Sequence, residues 1–598
     1  MSEPVERREE MDRGVVAAPA NPSLWAWVRA RWWKIALPAV LLLALRVLYI
    51  LHYRIDSDEP QHLHVVWAWT RGLLPYRDVF DNHAPLFQAL CAPLFWALGV
   101  RADIILPMRL AMLPLYLLTI FCVARCVATF ATPRVAVWSG ALAALFPPLV
   151  VHSKSISMDL PSYFLGSIEF RPDQLWAAVW LATLMVLVCG RPTPRRALVA
   201  GLLLGVDFAV SMKSVLMLGA LACAVLHAFL ALGEKNGGRR DWSALAKCGG
   251  AALAGMVIVP ALVVLAFQFL GAGKEFYACV IQHNITSGDA NSHAYRNALL
   301  RLVRWVPVVM VGGLLIARSK MPAAAKSRFG LCFFAATYYW AFLWSGWPVL
   351  TDEDFLPLLP ALGLVIGPLL VWGYDAALRA VGVKSTITAL PLLIASGAVL
   401  MKMHCPCANE TRDKIGLVAD TLRLTREDEY VMDSKGETIY RRRPFYYVLE
   451  RMALWRLKNG KIEDDIIEQL IDKRVPLVTM RRTPEGTRRF MEENYLPIAW
   501  RLRVLGQEFP PRDLRAHGPI VFQIRIPARY LFVTSDGPAE GKLDGVDITG
   551  PCELAAGRHE FLPSPQAAGK IAMVWSRALE RGYSPFAPIK KDITTPQD

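Results

Sequence analysis

The chain has 598 residues, of which 54% are hydrophobic, and carries a net charge of +15 with a mean hydropathy of +0.32. A soluble protein of this length spreads its apolar residues over several domains, whereas here they crowd into repeated runs before about residue 401. The positive charge lies in the loops between those runs, which excludes a nucleic-acid partner, and the cysteines fall mostly inside apolar runs, which excludes a disulfide framework.

Residues 1–34 form a polar, charged N-terminal segment that ends in RARWWK, followed by the run IALPAVLLLALRVLYIL. No small-residue cleavage site follows, so this run reads as a retained first span. Further apolar runs begin near residues 104, 135, 174, 197, 214, 249, 303, 329, 355 and 385. Several are shorter than the ~20 residues of a usual span. Lys and Arg collect in alternate loops: Arg125–Arg134, GRPTPRR, GEKNGGRRDWSALAK, ARSKMPAAAKSR and LRAVGVKS. The positive-inside rule then places the N-terminus in the cytoplasm and everything beyond the last span outside. The result is an α-helical polytopic membrane protein of about 11 transmembrane helices over 35–401. PLFQALCAPLFWALG (85–99) becomes a short helix on the outer face, because counting it as a span would invert the charge of every later loop.

The first outer loop, 52–103, contains IDSDEPQHLHVVWAWTRGLLPYRDVFDNHAP. Ser57 or Asp58 is placed to cap a helix there, and Leu63, Val66, Trp67 and Thr70 follow helical spacing. That pattern predicts an amphipathic helix lying at the interface, anchored by its tryptophans, with Asp58 and Glu59 in the first turn where the helix dipole favours carboxylates. Beyond the last span, 402–507 reads as α/β. EYVMD and VPLVTM are strand-like, and IEDDIIEQLIDK and TPEGTRRFMEEN are helical. VFQIRI, RYLFVTS, GRHEFLP and KIAMVWS make 508–598 a β-sandwich-like accessory domain. His404, Cys405 and Cys407 fall short of a zinc site and suggest a structural role, with Cys552 as a candidate disulfide partner.

The Asp58-Glu59 pair after the first span, followed by the Pro75-Tyr76-Arg77-Asp78 turn, resembles the membrane glycosyltransferases of the C superfold. These include the protein O-mannosyltransferases and the aminoarabinose transferases. RPDQLWAAVW (171–180), GLLLGVDFAVSMKS (201–214) and DEDFLPLLPALGLV (352–365) resemble further landmarks of that superfold, in the same order. Two departures stand out: His83-Ala84-Pro85 replaces a common Lys-Pro-Pro, and Asp352, Glu353 and Asp354 stand where a basic or aromatic residue is common.

The lack of evident organelle signals and the composition suggest a bacterial inner membrane with the site facing the periplasm. The resemblance implies sugar transfer from a polyprenyl-phosphate donor to a lipid, glycan or protein acceptor on the outer face of the membrane. It makes Asp58 the general base, with Glu59 in support and Asp173 as a second acid. Arg77, Asp78, His83, Arg171, Lys213 and Lys274 become candidate substrate contacts, since cations stabilise a departing phosphate and Arg suits bidentate contact. Lys213 interrupts two apolar runs, where charge is costly. Asp58, Glu59 and His62 are candidate ligands for a divalent cation, Mg²⁺ or Mn²⁺. Two other readings stay open: a transporter or flippase, and a non-catalytic scaffold for envelope assembly.

Overall fold

The computed structural model describes residues 23–146, 149–152, 157–160, 162–232, 240–285, 302–347, 350–383, 389–499, 501–512, 518–565, 567 and 569–589. Its first part is helical: α1 (Leu24–His52), α2 (Asp58–Thr70), α3 (Leu86–Leu98), α4 (Ile105–Leu110), α5 (Leu113–Val127), α6 (Pro133–Ala144), α7 (Tyr163–Gly166), α8 (Pro172–Val188), α9 (Pro194–Val210), α10 (Ser214–Ala231), α11 (Trp242–Phe269), α12 (Val306–Arg318), α13 (Ala323–Gly346), α14 (Leu358–Ala380) and α15 (Leu390–Met403). With α4 and α5 taken as one broken span, α1, α4–α6 and α8–α15 supply eleven apolar segments among the described residues. Five of these are long and apolar enough to cross a membrane by themselves: 35–52, 105–127, 214–231, 242–269 and 358–380. Helix α3 lies outside this set, as a short apolar helix packed on α2.

Small residues let α9 and α11 approach closely. A Cβ on Gly205 would stand 2.6 Å from the Met256 carbonyl, and Gly201 and Gly255 are tighter still; this is the small-residue packing expected of helices in lipid.

The two ends of the bundle differ in charge. Thr132, Thr193 and Asp241 cap α6, α9 and α11, with Pro133 and Pro194 at the first helical positions, which is the usual start chemistry. At this same end Arg134 holds Asp375 through hydrogen bonds of 2.6 and 2.9 Å, and Arg328 donates to the Thr129 carbonyl. The acidic segments 56–59, 169–173 and 352–354 all lie at the other end, as do Lys213 and the chain leaving α15.

Helix α2 departs from the amphipathic expectation. Residues 59–68 are all buried, and Trp67 is 3% exposed and stacked on His64. The soluble region covers the face that period alone assigned to lipid headgroups. The cap is also different: Asp56 Oδ1 accepts the Asp58 N–H at 2.9 Å, and Ser57 makes no side-chain cap. The tryptophans therefore pack under protein.

After α15 the chain is tied back to the end of α1. Thr411 Oγ1 donates to the Leu51 carbonyl, and His52 Nδ1 donates to the Pro406 carbonyl. Cys405 is disulfide-bonded to Cys407 and Cys552 is free, which corrects the expected pairing. The soluble region contains the expected helices Ile466–Asp472 and Glu485–Asn494 and the expected strands. Strand Leu502–Arg512 runs through the anticipated boundary at 507/508. It pairs antiparallel with Leu477–Thr479 and Tyr495–Pro497 from the α/β part and with Gly569–Trp575 from the β part, so one sheet joins the two. A four-stranded sheet packs against it, with the Phe532 and Phe561 rings stacked at 4.1 Å.

Candidate active site

The acidic end of the bundle is organised by two buried arginines. Arg109 enters from α4 and is fully buried, as is Glu59 from α2. Its Nε donates to Glu59 Oε2 at 2.7 Å and its Nη2 to Oε1 at 2.5 Å. The remaining N–H groups serve the carbonyls of Tyr53 and Arg54. Glu59 also accepts the Phe170 N–H at 2.8 Å and the Asp56 N–H at 3.0 Å. Both oxygens of this carboxylate are taken by these donors, and it ties the loop after α1, the start of α2 and the segment before α8 to one point.

Arg171, at the N-terminus of α8, is used otherwise. Its guanidinium meets five carboxylates: Glu353 at 2.8 Å, Asp56 and Asp58 at 3.1 Å, Asp173 at 3.2 Å and Glu169 at 3.6 Å. Asp58 is also paired with Lys435 of the soluble region. Burial by itself would raise the Asp58 carboxyl, but Arg171 and Lys435 outweigh it and hold the group well below the usual carboxylate range. Glu169 goes the other way: burial and then the charge on Asp56 push it well up, against Arg171. Neighbouring acids with divergent proton affinities are the arrangement found where acid–base chemistry is done. Asp58 keeps 22% of its side chain exposed, so a substrate can reach it.

Two ammonium groups flank the cluster. Lys213, in the turn between α9 and α10, pairs with the buried Asp354 and stands 5.5 Å from the Trp347 ring centre. Lys435 is carried by a rigid turn. Asp433 Oδ1 accepts the Gly436 N–H and its Oδ2 accepts the Thr438 N–H, while Arg443 donates to Asp433 from behind. Gly436, at φ 77°, lies so close to α2 that a Cβ would stand 2.7 Å from the His64 Cβ. Glu437 fixes the same turn to Lys414 and Arg481.

His62 is buried one turn along α2 from Asp58. Its Nδ1 contacts Gln88 at 3.2 Å, and its ring meets His83 edge-on at 4.6 Å. Burial, and then His83, hold it well below its usual value, so it is neutral. His83 in turn donates from Nδ1 to Asp81 at 2.8 Å.

The candidate residues of the sequence thus divide. Asp58, Arg171, Asp173 and Lys213 converge, and His83 reaches them through His62. Glu59 is present but committed to Arg109. Arg77 and Asp78 pair with each other on the surface at 2.9 Å, and Asp78 also accepts the Leu74 N–H that closes its turn. Lys274 is exposed on the short helix Gly273–Phe276 after α11. Neither Arg77 nor Lys274 joins the cluster. Much of the outer stretch 271–297 lies outside the described residues. The trio Asp58, Glu59 and His62 does not form a cation site, because both Glu59 oxygens are taken. Among the described residues no three His, Cys, Asp or Glu side chains are set to hold a metal ion.

Sequence reasoning missed Asp56, Glu169, Glu353 and Lys435. Glu169, Arg171 and Asp173 fall at alternate positions where the chain enters α8, which was a readable signal. Lys435 had none, since it meets Asp58 across 377 positions.

A bundle of this kind, with its acidic loops roofed by an α/β and β-rich region, has the fold of the membrane glycosyltransferases of the C superfold. ArnT from Cupriavidus metallidurans in the apo state aligns with a TM-score of 0.51 and 14% identity, over 80% of this chain and 98% of that one. The same protein bound to undecaprenyl phosphate gives 0.47 at 14% identity, over 80% and 98%. The oligosaccharyltransferase of Archaeoglobus fulgidus in its apo form gives 0.43 at 11% identity, over 90% and 78%. At such identities the likeness establishes the fold, and the first comparison carries it. No protein-family model and no curated protein matches the chain.

Proposed function

We propose that this protein moves a sugar from a polyprenyl-phosphate donor to an extracytoplasmic acceptor, by single displacement with inversion. The reading is carried by one observation: Arg171 gathers Asp58 and four further carboxylates at the mouth of a membrane bundle, with Lys213 and Lys435 on its rim. The acceptor hydroxyl donates to Asp58 and its oxygen attacks the anomeric carbon. The bond from that carbon to the phosphate oxygen breaks, and the electron pair leaves with the polyprenyl phosphate.

Asp58 is a weak base in the ground state because two cations face it. It takes the proton late, as the hydroxyl becomes acidic in the transition state. Arg171 orients it, and Asp173 and Glu353 orient Arg171. Lys213, at the start of the apolar helix α10, balances the charge of the departing phosphate. The basic charge at the opposite end of the bundle supports a cytoplasmic N-terminus and a periplasmic site in a bacterial inner membrane. The Cys405–Cys407 disulfide is in keeping with that side, since such bonds persist in oxidising compartments.

The test is sugar transfer by membranes carrying wild type or Asp58→Asn, supplied with polyprenyl-phosphate sugars. Loss of the base should lower the rate by about 10²–10⁴-fold, and the product should carry the inverted anomeric configuration. Equal rates in the two would remove Asp58 from the mechanism. No transfer from any donor would favour a transporter or a scaffold.

A further inference from the structure

Beside the acidic cluster, the soluble region and α2 enclose a second opening. It is a cleft of about 280 Å³ between the start of α2, the turn at 73–80 and the segment 430–448. Gln61, Phe80, Tyr430, Arg442, Tyr446 and Lys473 line it. Gln61 is three residues beyond Asp58 on the same helix, so the cleft begins one turn from the proposed base.

Three features of the lining point to a ligand. Gln61 is 2% exposed, yet its side-chain Nε2 has no hydrogen-bond partner. A buried amide left unpaired costs roughly 1–3 kcal/mol, and a ligand oxygen in the cleft would satisfy it. Phe80 is buried and backs Tyr446 edge to face at 5.5 Å, while the half-buried Tyr446 and Tyr430 supply aromatic surface whose negative quadrupole attracts the C–H face of a sugar. Arg442 is exposed and makes no ion pair within 4 Å among the described residues. Asp78 also lines the cleft and feels the Arg442 charge, but it is paired with Arg77 at 2.9 Å. The neighbouring Arg443 is committed to Asp433 and to the carbonyls of Asp433 and Tyr447. Lys473 is balanced by Asp472 at the rim. With Asp78 held by Arg77, the exposed Arg442 guanidinium beside an unpaired amide and aromatic side chains is a set that recognises a carboxylate or phosphate carried on a sugar ring.

We infer that this cleft binds a saccharide bearing an acidic substituent, and that this saccharide is the acceptor end of the transfer. The acceptor role rests on the proposed glycosyl transfer, whereas the binding does not. The volume suits a short saccharide, at the lower end of the ~300–1,000 Å³ of small-molecule pockets. Gln61 and Arg442 grip the ligand on one side of the Lys435 turn, and a hydroxyl presented past Gln61 arrives at Asp58.

The experiment is saturation-transfer NMR on the full-length protein in detergent, with galacturonic acid, galactose and inorganic phosphate as probes. Galacturonic acid should bind about tenfold more tightly than galactose, as a hydrogen-bonded charge allows. Arg442→Ala should abolish that preference, and Gln61→Leu should weaken both sugars. Arg442 is at the surface, so its variant keeps the wild-type melting temperature. Equal binding of galactose and galacturonic acid would overturn the proposal. So would galacturonic acid binding unchanged in Arg442→Ala, or phosphate displacing nothing because no sugar binds. Arg442-dependent binding in a protein that transfers no sugar would leave the cleft standing and remove only its acceptor role. Transfer without any such binding would remove the cleft as a saccharide site and leave the proposed transfer standing.

Discussion

Arg109 and Arg171 are both buried at the acidic end of the same bundle, and they are used in opposite ways. Arg109 faces one carboxylate, Glu59, and spends its other N–H groups on backbone carbonyls. Arg171 faces five carboxylates that cannot all be satisfied by one guanidinium. The first is a closed account of charge and donors, which fixes geometry. The second holds surplus negative charge at a place open to solvent, which is an arrangement worth keeping only where something else binds. Adjacent residues, Glu59 and Asp58, fall on the two sides of this division.

The largest effect expected from breaking the comparison is at Glu59. Glu59→Gln leaves the Arg109 guanidinium buried without a counter-charge, at a cost of about 3–5 kcal/mol. It should appear as a lowered melting temperature and poor recovery from membranes. Asp58→Asn leaves Arg171 its four other carboxylates and keeps an amide oxygen that can accept from Lys435, so it should melt nearer wild type than Glu59→Gln while losing transfer. If Glu59→Gln melts like wild type and loses only rate, Glu59 belongs to the chemistry and the contrast between the two arginines collapses.

The bundle was largely legible from the sequence. The apolar runs expected near 104, 174, 214, 303 and 355 begin as helices at 105, 172, 214, 306 and 358, because lipid makes hydropathy itself the determinant of a span. Leu86–Leu98, left outside the count on loop charge alone, is an apolar helix of 13 residues packed on α2. Helix α2 was found, but its environment was not. Its burial comes from the turn at 435–439, which meets α2 only in the folded chain. The site was half legible. Asp58, Arg171 and Asp173 carried signals of position within their own loops. Asp56 read only as a neighbour of the acidic pair, and Glu353 only as a departure from the superfold's pattern. Lys435 sits in a stretch whose local pattern is an ordinary strand and turn, so the completion of the site by the soluble region could not be seen from spacing.

A middle-sized effect is expected at Lys435. Methionine there preserves the length of the side chain and removes one of the two cations that depress the Asp58 carboxyl. A carboxyl held low by positive neighbours rises when one is taken away, so the acid limb of the transfer rate should move to higher pH. The sign for stability is consistent. A depressed carboxyl contributes stability above its unfolded value, and that contribution fades as pH falls through the folded one. In Lys435→Met the fading should begin at higher pH. A pH–rate profile of wild type and variant on one donor measures the shift directly. An acid limb that stays in place would mean that Asp58 does not set it.

The smallest effect, and the one that tests the boundary of the site, is at Arg77. By sequence it stood beside His83 as a phosphate contact. In the structure its guanidinium is spent on Asp78 next to it, with Nε and Nη2 at 3.0 and 2.9 Å from the two carboxylate oxygens. An exposed pair between adjacent residues contributes little, because water competes for both partners and salt screens them. Arg77→Ala should therefore leave kcat and the donor KM unaltered, and raising the salt should not separate it from wild type. Lys213→Met offers the contrast, since an ammonium at membrane level beside Asp354 has few substitutes; that variant should raise the donor KM. Should Arg77→Ala raise it instead and Lys213→Met leave it unchanged, the lipid phosphate lies over the Tyr76–Asp78 turn, and Arg171 gathers its acids for the acceptor alone.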